Sequence, residues 1–458
     1  MNTTANTEAS TEPRTEPSTD DRAGAVTGLQ HPPLWRDLQF QTLWIGQASA
    51  TLGVSVADVA YPLAILALTG SPARAGLFAA VQVAGGLAAG LPGGQLVDRH
   101  DRRRIVIAAE LTRALVTSLV VVGLILGWLS LPALLVAAVL LGAGGSVASA
   151  ARLPLVRSVV PQDQLTTALI QDEVRMNGAA LAGPPLGGAL YAIRVLAHAV
   201  PFIFTAAAFA LSVTTAIAMK FVPSGADPKA ATEEQASASG GAPGGAAGGA
   251  SARGGDTSML AGIRTLWRSP VLRAATLLIM TVNAVLSGLD LVIIVFLRDQ
   301  HVHAGLIGTV LAAAAVGGLA GAPLVKPLHR IRPGILLLSG CLLLVPIVAG
   351  LAVPLGPWWM AALLFVASLS MPALRVLVDV LIFRQTPDEQ RGRIVAAVMT
   401  LFGLGIPVGM AGTGLLLQWL PAQAAMLTMA ALLAVGVLYC ATMRPLWSAQ
   451  WPPAAHAA

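Results

Sequence analysis

From about residue 40 onward the chain alternates between long apolar runs and short polar connections. Each run is about twenty residues or longer, the length an α-helix needs to cross the hydrocarbon core of a bilayer. The runs lie near 40–67, 74–97, 105–129, 131–157, 168–193 and 199–221, then near 271–297, 304–327, 334–353, 357–384, 393–418 and 422–443. The pattern predicts an all-α polytopic membrane protein with twelve transmembrane helices in two six-helix, pseudo-symmetric halves, 34–221 and 263–445. Between them, 222–262 has a Gly/Ala/Ser-rich centre without hydrophobic periodicity and reads as a flexible linker. Residues 1–33 are polar and lack the apolar core and cleavage site of a signal peptide, so they read as a disordered tail, and 446–458 as a second tail.

The halves echo each other. Ala75-Gly76-Leu77 opens span 2 and Ala304-Gly305-Leu306 opens span 8, an offset of about 229 residues. Val160-Pro161-Gln162-Asp163 after span 4 is matched by Thr386-Pro387-Asp388-Glu389 after span 10, an offset of about 226. Parallel six-helix repeats that rock about a central site are an architecture of secondary transporters.

Composition narrows the class. Of 458 residues, 55% are hydrophobic and only 11% charged, with a mean hydropathy of +0.74. A soluble domain carries roughly 25% charge, so a soluble enzyme is excluded, and so is a disordered scaffold. The net charge of +6 is not gathered into one basic patch, so no nucleic-acid partner is expected. Arg99, Arg102, Arg103, Arg104, Arg157, Lys220, Lys229, Arg264, Arg268, Lys326, Arg330, Arg332, Arg391 and Arg393 all fall around even-numbered connections. The odd-numbered ones hold little beyond Arg74, Arg194 and Arg298. By the positive-inside rule both termini and the linker face the cytoplasm. The two cysteines, Cys341 and Cys440, lie in apolar runs and suggest no disulfide framework.

The connection after span 2 reads Gly93-Gly94-Gln95-Leu96-Val97-Asp98-Arg99-His100-Asp101-Arg102-Arg103-Arg104. It resembles the cytoplasmic signature of the major facilitator superfamily, except that Asp101 stands where the signature prefers Gly. The resemblance implies that Gly94 allows close packing against span 11. It also implies that Asp98 docks at a helix N-terminus and locks an outward-open state, with Arg99, Arg102 and Arg103 completing the motif. An ordinary basic anchor is the plainer alternative. Span 5 carries Gly178 and then Gly183-Pro184-Pro185-Leu186-Gly187-Gly188, which resembles the antiporter motif of the same superfamily. Pro184 bends the helix, and Gly183, Gly187 and Gly188 admit a close neighbour; small-residue packing without antiport is the alternative. The Arg that many drug/proton antiporters carry early in span 4 is absent from Leu134–Ala138, and Arg113 in span 3 is the candidate substitute. Leu34-Trp35-Arg36-Asp37, Trp44-Ile45-Gly46-Gln47 and Glu110-Leu111-Thr112-Arg113 look more like the macrolide-efflux and siderophore-exporter branch.

Ionisable residues inside spans are costly, about 2.5 to 3.5 kcal/mol on insertion scales, and so call for partners or a function. Glu110 and Arg113 are spaced to share a helix face, as are Arg375 and Asp379, and each set reads as an intramembrane charge pair. Asp172, Glu173 and Arg175 lie toward the end of span 5 that water reaches. Asp58 in span 1 and Asp290 in span 7 have no such companion. Each lies about 18 residues, or roughly 27 Å, into its span, at matching places in matching helices. They are the candidates for proton coupling, the static alternative being a partner on a neighbouring helix. Gln47, Gln82, Asn177, Asn283 and Ser287 either line a substrate cavity or hold helices together. His301 and His303 lack acidic or Cys company, so no metal site is expected. Without a phosphate-binding loop, no nucleotide or other cofactor is expected either.

These features point to a secondary active transporter, not an enzyme, in a bacterial inner membrane. It is expected to work as a monomer and to export a bulky amphipathic molecule by proton antiport. An antibiotic, a macrolide-like drug, a siderophore or the host's own secondary metabolite fits equally well. A proton-coupled nutrient importer and a non-transporting scaffold or sensor are the rival readings.

Overall fold

The computed structural model describes residues 34–161, 164–193, 195–219, 267, 270–324, 333–372, 374 and 391–442. Among them are twelve α-helices and no strand. The first six are α1 (Leu38–Thr69), α2 (Pro72–Arg99), α3 (Arg102–Leu126), α4 (Leu131–Val159), α5 (Leu165–Ala192) and α6 (Val200–Ala218). The second six are α7 (Pro270–Asp299), α8 (Ala304–Gly321), α9 (Pro333–Gly350), α10 (Pro357–Leu369), α11 (Arg391–Trp419) and α12 (Ala422–Ala441). Each falls on one of the predicted runs. Among the described residues, nine helices are long and apolar enough to cross a membrane by length and composition. The long helix α5 falls outside that set, and its first half carries Asp172, Glu173 and Arg175. The helix of the expected run to 327 ends at Gly321 and passes into a 3-10 turn, Ala322–Leu324, whose Pro323 cannot donate to the helical ladder; 325–327 lie outside the described residues. The expected extension of span 10 to 384 lies outside the described residues.

Local chemistry sets the helix ends. Asp37 caps α1, accepting from the Gln39 and Phe40 amides at 2.9 and 3.4 Å. Gly70 closes the same helix with a left-handed φ of 62°, as Gly127 closes α3 at 72°. Prolines open α2, α4, α6 and α10, where a missing N–H costs nothing.

Packing repeats across the two halves. In the first, α1 packs on α5 and α6, α2 on α4, and α3 on α4 and α6. In the second, α7 packs on α11 and α12, α8 on α10, and α9 on α12 and α10. The main contacts between halves are α2 with α11 and α5 with α8, which are themselves a symmetric pair. Large apolar side chains such as Leu115, Leu119, Leu432 and Val435 remain exposed on the outer faces. A bilayer tolerates this surface and water does not, so packing inside relies on small residues and polar contacts.

Candidate functional site

The end of the bundle carrying the Asp98–Arg104 connection is the arginine-rich end. Among the described residues, the halves approach closely at the opposite end. There the Ser71 hydroxyl and the Gln418 amide oxygen lie 2.8 Å apart, joining the start of α2 to the end of α11. A side chain on Gly76 would reach Met410 O at 2.5 Å and Gly414 Cα at 2.8 Å. At mid-depth Gly403 faces Leu87. At the arginine-rich end, a side chain on Gly94 would meet no described atom within 4 Å. The close packing on span 11 implied for Gly94 is therefore absent from this conformation among the described residues.

The rest of that connection organises its own half. Asp98 and Arg99 are exposed at the end of α2. Asp101, the departure from the signature, caps α3 by accepting from the Arg103 amide at 2.9 Å, and its other oxygen lies 3.7 Å from Arg104 Nε. Arg103 donates to the Ala216 carbonyl at 2.7 Å and to the Ile217 carbonyl, closing the negative end of α6. Arg102 is half-buried in the first turn of α3.

The span 5 motif forms a three-helix junction. Gly183 and Gly187 are buried against α1, where added side chains would strike Ser55 and the Val56 carbonyl. Gly188 faces Ala304, and Gly308 of α8 sits against the Pro184 carbonyl. One face of α5 thus touches α1 a single turn below Asp58, while another touches the second half.

Asp58 lies one turn before Pro62 on α1. Pro62 has no N–H to give the Asp58 carbonyl, so the helix is weakest beside this carboxyl. Asp290 occupies the corresponding place on α7. Both side chains are exposed, although protein surrounds each of them. Asp58 is near enough to Asp290 for the two charges to repel, and near enough to Arg113 to be attracted.

Behind Asp58 the first half holds a charged cluster. Glu110 and Arg113 are buried, 2% and 7% exposed, with Arg113 Nη1 donating to both Glu110 oxygens at 3.1 Å. The guanidinium lies 4.0 Å over the Phe209 ring, and Gly144 makes room for its stem. Among the described residues, the buried Arg113 Nε, Tyr61 hydroxyl and Thr117 hydroxyl have no partner in hydrogen-bond geometry, although the two hydroxyls are neighbours. Arg175, expected in reach of water, is instead buried at 4% exposure. It donates to Asp172, to the Thr51 hydroxyl and to the Gln47 carbonyl at 3.0 Å, pinning α5 to α1. Water is excluded because α1 covers this turn of α5.

The remaining polar candidates divide by role. Asn283 and Ser287 donate to the Phe402 and Ile406 carbonyls of α11, at 3.2 and 3.1 Å, and so join two helices. Asn177 bonds within its own helix to Glu173 at 2.9 Å. Gln47 is buried and Gln82 half-buried. Arg375 and Asp379 lie outside the described residues. A hollow of about 300 Å³ among Leu66, Gly70, Pro72, Arg298 and Gln418 sits at the opposite end, away from the charged cluster. Sequence reasoning passed over Arg152 on α4, which among the described residues reaches the Met176 sulfur, at 4.0 Å. The signal was present, since Arg152 lies inside a predicted span, but it sits near the end where basic anchors are ordinary.

Comparison with known proteins accords with this architecture. The chain is 27% identical over 416 residues to the MFS-type transporter YfiS of Bacillus subtilis, covering 88% of this chain and 92% of that one. It is 28% identical over 281 residues to the multidrug efflux pump Tap of Mycobacterium tuberculosis, covering 60% and 61%. It is 30% identical over 190 residues to macrolide efflux protein A of Streptococcus pyogenes, covering 40% and 45%. Its fold matches the inward-facing crystal structure of a bacterial homologue of the human lysosomal transporter Spinster, with a TM-score of 0.69, 15% identity and coverage of 92% and 99%. The family model of the Major Facilitator Superfamily matches residues 43–357 and 291–446. With twelve helices in two symmetric sets and most of its length matched by that model, this chain belongs to the major facilitator superfamily.

Proposed function

We propose that the protein exports a bulky amphipathic small molecule in exchange for protons, by alternating access. The observation that carries this reading is the exposure of Asp58 and Asp290, carboxylates at matching places within spans of the two halves, with Asp58 near enough to feel the charge of Asp290. A carboxyl set in a span of a rocking protein can take up a proton on one side and release it on the other. The arginine distribution puts the arginine-rich end and both termini in the cytoplasm. With the close contacts at the opposite end, that orientation favours an inward-facing reading of this conformation. Cargo then enters from the cytoplasm while a carboxylate is ionised. The halves rock on the α2–α11 and α5–α8 contacts, and protonation from outside helps expel the cargo. One proton moving down 100 mV supplies about 2.3 kcal/mol, worth roughly fifty-fold in gradient. The efflux direction draws support from the α5 motif and from the named efflux activities of two relatives. The monomer is the working unit in this scheme.

The test is drug uptake into everted membrane vesicles carrying the wild type, Asp58→Asn or Asp290→Asn. Uptake that collapses with the proton gradient and is lost in either variant supports antiport. Uptake surviving both substitutions refutes the coupling role. Movement in the opposite direction supports the importer.

A further inference from the structure

Three guanidinium groups converge inside the first half, from α3, α4 and α5. Two carry their own counter-charge. Glu110 stands three residues before Arg113 and Asp172 three before Arg175, and both pairs are formed. The third, Arg152, has Ser149, Ala148, Leu155 and Val156 at the equivalent spacings, none of them acidic. Its hydrogen-bond acceptor among the described residues is the thioether of Met176, 4.0 Å away and a weak one. The charges it feels are Arg175, Asp172, Glu110 and Arg113, whose two carboxylates are already committed. These five groups therefore hold one cation in excess, and the further carboxylate nearby, Asp58, is drawn to Arg113 and not among the charges that act on Arg152. An enclosed cation without a counter-ion is strongly unfavourable, and the deficit marks a place where an anion gains. Arg152 keeps part of its surface open and lies toward the arginine-rich end of α4.

We propose that Arg152 receives the anionic group of the transported molecule, so that the cargo is an amphipathic organic anion bearing a carboxylate, sulfonate or phosphate. A guanidinium suits such groups because its planar fork donates two parallel hydrogen bonds. The adjacent Met176 offers a soft apolar surface that adapts to the rest of the molecule. This assignment rests on the reading that the space between the halves admits cargo, and it is independent of proton coupling.

The test uses the purified full chain in detergent micelles, titrated by fluorescence anisotropy with fluorescein, an amphipathic anion, and rhodamine 6G, a cation on the same ring frame. The wild type is expected to bind fluorescein saturably and more tightly than rhodamine 6G. Arg152→Gln should weaken fluorescein roughly tenfold or more and leave rhodamine 6G within about twofold, as loss of a charge-assisted bond requires. Met176→Glu places a carboxylate beside Arg152 and should weaken fluorescein to a similar extent without loss of thermal stability. It carries the test alone if Arg152→Gln does not fold. Absence of saturable fluorescein binding by the wild type overturns the assignment. So does unchanged fluorescein affinity in the folded variants, which would give Arg152 to a closing contact at the arginine-rich end. Retained anion binding beside proton-independent transport would spare this site and refute antiport.

Discussion

Removing one member of the Glu110–Arg113 pair should cost far more than removing both. The side chains are 3% and 8% exposed, and a single Arg113 nitrogen makes both contacts, at 3.1 Å. Breaking such a buried pair typically costs about 3–5 kcal/mol, because the remaining charge stays enclosed without compensation. For Glu110→Ala the loss falls toward the lower end, since Arg113 retains the Phe209 ring at 4.0 Å and the attraction of Asp58. For Arg113→Ala it falls higher, since the chain offers Glu110 no second cationic partner in hydrogen-bond contact among the described residues. The pair is also incompletely satisfied, with the buried Arg113 Nε lacking an acceptor among the described residues. Glu110→Met with Arg113→Leu should therefore lie within about 1 kcal/mol of the wild type, or be more stable, as other buried pairs are when both members become apolar. The assay is a double-mutant cycle on thermal and denaturant unfolding in a single detergent. Single losses that merely add, with a coupling below about 0.5 kcal/mol, would refute the claim that each group neutralises the other.

Other substitutions probe the junction and the helix ends. Gly308→Val drives a side chain into the Pro184 carbonyl where α8 meets α5; an overpacking cost of about 1–3 kcal/mol is expected, with transport into vesicles falling more steeply than stability. Asp101→Ala should destabilise by about 1 kcal/mol through loss of the α3 cap, whereas Asp101→Gly should cost only a few tenths, both read by thermal unfolding.

Much of the site was legible because local spacing controls it. Glu110 and Arg113 lie three apart on one helix, so their pairing needs only helical geometry. The place of Asp58 and Asp290 followed from counting along two equivalent spans. The fates of Asn283, Ser287 and Arg175 were not legible, because their partners are over a hundred positions away in the chain. A polar side chain in a span looks the same whether it faces cargo or a neighbouring carbonyl. Arg152 was hidden for a related reason: what distinguishes it from a basic anchor is that the acids on the surrounding helices, Glu110 and Asp172, are paired with other arginines.

The sequence by itself determined the helices and their order, because a bilayer requires every backbone group to bond within its own helix and sets the length of each apolar run. It also determined the repeat that makes the halves alike. Only the tertiary structure decided which end of the bundle is packed and which helices join the halves. It likewise decided that Asp58 feels the charges of Arg113 and of Asp290 in the other half, and that one arginine of three makes no ion pair among the described residues. Those outcomes depend on side chains from distant helices meeting in a protein-enclosed space. There the energy of a charge is set by every neighbour at once, and not by its place along one helix.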